Sequence, residues 1–300
     1  MSKTLIYVAG PTGIGKTSFS IELAKRLKTE IISCDSRQFY KELRIGTSPP
    51  SKSQLSDVRH HFIHNKSILD DYSVGDYEKD SIDLITKLFK KRDYLILVGG
   101  SGLYADSILF GMDDIPKVPS EIKDQLNLKF NKKGLVYLQE KLKEIDLEYY
   151  NKVDLENPNR LIRAIGVYQV SGKKISSLWK NNKKDRFFNS LVITMKCDRD
   201  KLYERINKRV DKMVKDGLEK EVRGLIKFKN YNALNTVGYK EYFLYFDGKL
   251  SKEETIKKIK QNTRNYAKRQ ITWFKKYNNA LTFNIDDNID ELLNKLLKNE

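Results

Sequence analysis

TLIYVA at Thr4–Ala9 runs without a break into GPTGIGKT at Gly10–Thr17. The first six residues are an apolar, partly β-branched run of strand length. The next eight fit G-x-x-x-x-G-K-[ST], and Ser18–Leu27 then carries Phe19, Leu23, Ala24 and Leu27 at helical spacing. Strand, glycine-rich turn and helix in that order make a phosphate-binding loop. Its small residues let successive backbone N–H groups converge on phosphate oxygens, and the helix N-terminus adds partial positive charge. Lys16 contributes a point charge, and the Thr17 hydroxyl is suited to Mg²⁺. Gly10, Pro11, Thr12, Gly13, Ile14, Gly15, Lys16 and Thr17 are therefore the candidate phosphate-binding residues.

Outward from the loop, strands alternate with helices. Glu30–Ser33 reads as a short strand ending at Cys34–Asp35, Phe62–His64 as a candidate third strand, and Tyr94–Val98 as a buried strand stopped by Gly99–Gly100. Asp80–Phe89 sets Ile82, Ile85, Leu88 and Phe89 on one helical side. The alternation predicts an α/β fold: a P-loop NTPase-like core with a mostly parallel sheet covered by helices. The rhythm breaks at Met112–Pro119, a Pro- and Asp-rich linker, and the patterns from Ser120 to Trp179 are helical. Leu191–Lys196 returns as a strand, long basic helices follow at 200–229 and 252–276, and Leu281–Ile285 and a short amphipathic helix close the chain. The expected organisation is a core in two parts, 1–114 and 189–300, interrupted by an all-helical insertion domain at 115–188.

The chain carries 57 basic and 40 acidic residues, a formal net charge of +17. The excess is uneven: residues 1–114 hold 16 basic against 15 acidic side chains, 115–200 hold 18 against 11, and 201–280 hold 21 against 9. A general lysine bias would spread evenly, so the clustering predicts a nucleic-acid-facing surface built from the second and third segments. Apolar runs such as Leu95–Val98 fall far short of the ~20 residues that cross a bilayer, so a membrane span is not expected. The N-terminal stretch lacks a secretory apolar region. Two cysteines, Cys34 and Cys197, make neither a disulfide framework nor a zinc site. The expected compartment is the cytoplasm and the expected state a monomer.

A phosphate loop leaves the phosphate compound open. A nucleoside triphosphate is the general expectation, but Tyr94–Val98 ends in Gly99–Gly100–Ser101 where hydrolysing relatives carry an acidic Mg²⁺ ligand. The acid in a suitable place is Asp35, at the end of the second strand. Ligands gather at the carboxyl ends of parallel strands, so Asp35, the loop and Ser101 are expected to converge. An Asp there either takes a proton from a nucleophile or holds Mg²⁺ through water. Ser36, Arg37 and Gln38 are donors and acceptors able to read a base or sugar, and equally able to cap a helix. In 252–276, Lys257, Gln261, Arg264, Lys268 and Lys275 form a basic stripe beside Ile256, Ile259 and Tyr266. Trp273 and Phe274 read as core residues, and His60 and His61 as packing or capping groups.

Several segments together are similar to one family. GPTGIGKT, DSRQFYKELRIGT (Asp35–Thr47), HH (His60–His61) and GGSGLY (Gly99–Tyr104) resemble the tRNA dimethylallyltransferases, also called tRNA isopentenyltransferases. NRLIRAIGVYQVSG (Asn159–Gly172), RINKRVDKMVKDGLEKEV (Arg205–Val222), TVGYKE (Thr236–Glu241) and YAKRQITWF (Tyr266–Phe274) continue the likeness in the family's order. The resemblance implies transfer of a dimethylallyl group from dimethylallyl diphosphate to N6 of adenosine 37 beside the tRNA anticodon, with Mg²⁺, on a P-loop core bearing a helical insertion.

By the same resemblance, the loop holds the diphosphate with Mg²⁺ near Thr17, and Asp35 is the general base for the adenine amine. Ser101 stands where the family usually has Thr and keeps the hydroxyl. Lys16 and Arg209 act on the leaving group, with Arg205 the competing arginine. The implied tRNA contacts are Asp35, Ser36, Arg37, Gln38, Ser101, Lys123, Asn159, Arg160, Leu161, Ile162, Arg163, Gly238, Tyr239, Lys240, Lys268, Arg269, Gln270 and Trp273. The chemistry suits these residues: an aromatic amine is a poor nucleophile helped by a base, and an allylic diphosphate departs readily once its charge is opposed. The competing readings are an isopentenyltransferase for free adenine nucleotides, which gains nothing from the basic 201–280 segment, and a small-molecule kinase. A non-catalytic RNA-binding module with a degenerate loop is opposed by the intact Lys16 and Thr17.

Overall fold

The computed structural model describes residues 3–180 and 183–298. Six strands, β1 Thr4–Ala9, β2 Ile31–Ser33, β3 His60–His61, β4 Tyr94–Val98, β5 Asn189–Lys196 and β6 Leu281–Asn284, form one sheet. Their spatial order is β3-β2-β4-β1-β5-β6, and every pairing is parallel. Parallel neighbours require long crossovers, which the intervening helices supply. Alternate side chains of the central β1 serve both faces. Ile6 and Val8 pack with Phe19, Leu23, Ile206 and Phe283, whereas Leu5, Tyr7 and Ala9 pack with Phe39, Tyr77, Ile108 and Phe274. Two covered faces explain why Thr4–Ala9 is apolar throughout rather than alternating.

The chain divides into two compact units, Met1–Phe110 with Asp185–Glu300, and Gly111–Lys184. The boundaries fall four residues ahead of those read from the sequence, and side chains explain why. Phe110 packs against Tyr277, and Arg186 bonds Glu78 at 2.8 Å and the Ile108 carbonyl at 2.9 Å, so the chain leaves the core after one and rejoins it by the other. The smaller unit gathers helices Ser120–Ile145, Leu147–Tyr150, Pro158–Ser171 and Ile175–Leu178 around Leu126, Leu138, Leu142, Leu161 and Ile165. Its longest helix is broken at Gly134, whose φ of 76° lies outside helical space.

Three expectations need correction. The third strand is His60–His61, not Phe62–His64, because Phe62 and His64 adopt φ of 60° and 49°, which ends an extended strand. The helix expected from Asp80 begins at Val74, where Ser73 and Asp76 form a reciprocal capping box. The helix expected over 200–229 is Arg199–Lys215; Gly217, at φ 99°, turns the chain into a separate helix, Leu218–Gly224. Among the described residues no helix is long and apolar enough to cross a membrane.

Candidate active site

The glycine loop leaves the carboxyl end of β1. Gly15, at φ 105°, caps the Lys16–Arg26 helix, and a Cβ at Gly13 (φ 83°) would lie 2.9 Å from Ile206, so both positions exclude side chains. Lys16 folds back over the loop, its Nζ donating to the Gly10 and Pro11 carbonyls at 2.8 and 2.9 Å. Burial lowers its pKa to about 8; the charge of Asp35 opposes that shift and Arg209 adds to it. Two loop residues also make scaffold contacts. The Thr12 N–H donates to Oε1 of Gln270 at 2.8 Å, and the Ile14 side chain is buried in the core. Gly13, Gly15, Lys16 and Thr17 line the cleft in front of the loop.

That cleft, about 380 Å³, is also lined by Arg205, Lys208 and Arg209 from the Arg199–Lys215 helix. A second cleft of about 560 Å³ is lined by Ser36, Arg37, Thr47, Ser101, Tyr104, Arg269 and Trp273. Thr12, Asp35, Gly100, Arg209, Tyr266 and Gln270 line both, so the clefts meet at Asp35. One side of Asp35 faces a cationic cradle, the other a chamber of aromatic and hydrogen-bonding groups.

Asp35 and Ser101 sit at the ends of β2 and β4, as strand-end logic predicted. The Asp35 carboxylate accepts the Arg37 N–H at 3.1 Å, which fixes its turn. Ser101 Oγ accepts the Ser36 N–H at 3.0 Å and lies 3.0 Å from Ser36 Oγ, so its hydroxyl holds the Asp35 loop to the end of β4. Gly99 permits the approach: a Cβ there would be 2.6 Å from Cys34 Sγ and 2.8 Å from the Asp35 nitrogen. Tyr266 completes the junction, its pKa pushed up to about 12 by burial first and by Asp35 second. Sequence reasoning set Tyr266 beside the basic stripe and gave it no part in the site, although it opens the YAKRQITWF segment.

The two arginines divide the cradle. Arg205 is exposed and its Nε donates to the Gly13 carbonyl at 2.9 Å. Arg209 is half-buried, donates to the Thr47 carbonyl at 3.2 Å and lines both clefts. Burial lowers the Arg209 pKa and the Asp35 carboxylate opposes it.

Of the surface residues, Lys240, Lys268, Arg269 and Trp273 are exposed on the larger unit, and Asn159, Arg160 and Arg163 are exposed on the helical unit, where Lys123 is partly exposed. Three expected contacts are interior, and a fourth, Gln270, is buried but borders both clefts. Leu161 and Ile162 belong to the helical unit's core, Tyr239 is fully buried with its hydroxyl on Glu221, and Gln270 is buried with both ends of its amide bonded inside the protein. Gly238, also buried, caps the Tyr239–Phe246 helix at φ 96° and lines the larger cleft. Arg37 bonds the Asn232 carbonyl at 2.8 Å, tying its loop to the segment before Gly238. Of the pair read as core, Phe274 is core but Trp273 is 41% exposed, with the Lys276 ammonium 4.2 Å over its ring. Arg264 leaves the expected basic stripe for a 2.8 Å bond to Asn207. His61 pairs with Glu30 at 2.8 Å and His60 with the Val58 carbonyl, both packing roles.

A phosphate loop at the head of an all-parallel sheet, with a carboxylate at its mouth, marks the chain as a P-loop α/β protein. Comparison with known proteins narrows that class. The family model described as IPP transferase matches residues 38–277. A tRNA dimethylallyltransferase of Christiangramia forsetii is 50% identical over 288 residues, covering 96% of this chain and 95% of the relative. One from Flavobacterium johnsoniae is 46% identical, covering 99% and 98%. The crystal structure of the full-length tRNA isopentenylpyrophosphate transferase from Bacillus halodurans superposes with a TM-score of 0.68 at 34% identity, covering 99% and 94%. A eukaryotic dimethylallyltransferase solved acting on tRNA gives 0.78 at 25% identity, covering 95% of this chain and 75% of that one. The chain belongs to the IPP transferase family of tRNA dimethylallyltransferases.

Proposed function

We propose that this protein transfers the dimethylallyl group of dimethylallyl diphosphate to N6 of adenosine 37, next to the tRNA anticodon, releasing diphosphate. The observation that carries this reading is the meeting of the two clefts at Asp35. A diphosphate in the cationic cradle and an adenine in the aromatic chamber would bring donor carbon and acceptor nitrogen together beside one carboxylate. The N6 nitrogen attacks the allylic C1, the C1–O bond to diphosphate breaks, and Asp35 takes the N6 proton. Lys16, Arg205, Arg209 and the loop amides oppose the charge gathering on the departing diphosphate. Ser101 holds the Asp35 loop through Ser36, and Tyr266 lines both clefts beside them.

The residues suit Mg²⁺ bound mainly through diphosphate oxygens and water, with the Thr17 hydroxyl as its protein ligand. Among the described residues no group of three or more His, Cys, Asp and Glu side chains could hold a metal ion instead. When bound, the ion neutralises part of the diphosphate charge.

Extruding the adenine costs a few kcal/mol, which stacking and phosphate contacts offset. Trp273 offers a half-exposed ring at the chamber, Lys240 and Arg269 offer charge at its rim, and Lys268 is exposed on the same helix as Arg269. The kinase reading suffers from the Gly99–Gly100–Ser101 end of β4, and the free-nucleotide reading leaves that rim without a partner. A tRNA acceptor implies the cytoplasm, and a monomer is the expected working unit.

The test is direct. The protein is incubated with dimethylallyl diphosphate, Mg²⁺ and an anticodon stem-loop bearing adenosine after the anticodon, and the digested nucleosides are weighed. Adenosine heavier by one C5H8 is the expected product. Modification of free AMP but not RNA, or ATP consumption without RNA modification, would overturn the reading.

A further inference from the structure

Three family-like segments had no role assigned to several of their residues: the end of DSRQFYKELRIGT, the end of RINKRVDKMVKDGLEKEV, and TVGYKE. Glu221 joins them. Its Oε2 accepts the N–H of Arg44 at 2.9 Å and of Ile45 at 2.7 Å, and its Oε1 accepts the N–H of Gly46 at 3.0 Å and the Tyr239 hydroxyl at 2.5 Å. Three successive backbone amides converging on one anion make a nest, here filled by a side chain of the same protein. The fit is close: a Cβ on Gly46 would stand 2.5 Å from the Tyr239 ring.

The next residue carries the connection into the site. The Thr47 carbonyl accepts Arg209 Nη2 at 3.2 Å and Gln38 Nε2 at 3.3 Å, while the Thr47 hydroxyl donates to the Leu43 carbonyl at 2.6 Å. One peptide plane therefore separates the amide that Glu221 anchors from the carbonyl that holds Arg209, the arginine lining both clefts. A carboxylate with both oxygens doubly bonded, buttressed by a buried tyrosine, holds that plane far more firmly than the turn's own contacts would.

We propose that Glu221 is a positioning residue for the transfer reaction. It anchors the Arg44–Thr47 turn so that the Thr47 carbonyl aims the Arg209 guanidinium at the diphosphate, and Tyr239 is its second brace. The inference rests on the reading of Arg209 as a diphosphate ligand. It predicts a larger effect on the donor than on tRNA, although Gly46 and Thr47 line the aromatic chamber and Tyr239 lies in a segment resembling tRNA-contacting ones.

The experiment uses the full chain with Glu221→Gln, Tyr239→Phe and Arg209→Lys, plus the Glu221→Gln/Arg209→Lys double variant. Glutamine keeps the shape but puts an amide donor against backbone donors. Glu221→Gln is expected to raise the KM for dimethylallyl diphosphate about tenfold, the weight of a charge-assisted hydrogen bond, with the KM for the stem-loop raised by much less. Tyr239→Phe, which removes one of four donors and keeps the ring, is expected to shift the donor KM in the same direction by less. It carries the test should Glu221→Gln fail to fold. In the double variant, Glu221→Gln should add little to Arg209→Lys, because both act through one guanidinium. Equal rises in both KM values, wild-type kinetics with only a lowered melting temperature, or multiplicative losses in the double variant would each overturn the role of Glu221. An unchanged donor KM in Arg209→Lys would instead sink the reading of Arg209, and this inference with it.

Discussion

The backbone N–H of Thr12 donates to Oε1 of Gln270 at 2.8 Å, across 258 positions of sequence. The other end of the same amide donates to the Gly100 carbonyl at 2.9 Å, so Gln270 ties the phosphate loop and the end of β4 to the Lys252–Phe274 helix. That helix also presents Lys268, Arg269 and Trp273 outward. The helix proposed to meet tRNA and the loop proposed to hold diphosphate are thus joined by one buried side chain.

Replacing Gln270 by Ala would leave the buried Gly100 carbonyl unpaired, at about 1–3 kcal/mol, and would free the part-buried Thr12 N–H at a smaller cost. Thermal denaturation should show a clear loss, and the donor KM should rise as Thr12 loosens. Gln270→Glu separates the two bonds, since it accepts from Thr12 but cannot donate to Gly100. Wild-type melting and kinetics in both variants would show the bridge to be dispensable.

Asp35→Asn should lower kcat by about 10²–10⁴-fold, the usual weight of a general base, while tRNA binding measured by filter retention stays near wild type. Asparagine can still accept the Arg37 N–H, so the turn survives. Turnover within a few-fold of wild type would remove Asp35 as the base.

Lys16 gives opposite pH signatures in folding and binding. Its folded pKa of about 8 lies below the ordinary value of 10.5, so between those values the unfolded chain holds a proton that the folded chain has released. Its contribution therefore makes stability rise with pH across that window, and the penalty for burying the ammonium is fully present below it. Diphosphate affinity should fall over the same range as the cation is lost. Lys16→Met removes that titration and leaves only the ligand's own, so calorimetric binding curves of the two proteins should diverge below about pH 8 and approach each other above it. Parallel curves across the range would show that Lys16 does not pair with the ligand.

Lys268 is exposed on the outward side of its helix. Lys268→Ala should weaken stem-loop binding most at low salt and make the dependence of log K on log salt shallower by about 0.7–0.9, one phosphate contact. An unchanged slope would remove Lys268 from the phosphate-contacting set.

The larger part of the frame was legible because its signals are local. Thr4–Ala9 is apolar at every position because both faces of β1 are covered, and Gly13 and Gly15 stand where the backbone takes φ values that other residues resist. The errors were local too: positive φ at Phe62 and His64 has no marker as plain as glycine, and the strand was set two residues late.

The amino-acid sequence by itself determined the phosphate loop, the parallel α/β order, the basic second half, and Asp35 and Ser101 as strand-end residues, because each follows from periodicity, backbone chemistry or charge along a short stretch. Only the tertiary structure decided what distant side chains do. Gln270, Tyr239, Leu161 and Ile162 lie in segments resembling tRNA-contacting ones, yet folding buries them, and Trp273, read as core, is left half-exposed at the chamber. The physical reason is that burial and hydrogen-bond partners are set by which surfaces meet when the sheet closes: no local pattern around Glu221 states that its carboxylate will fill the nest at Arg44–Gly46.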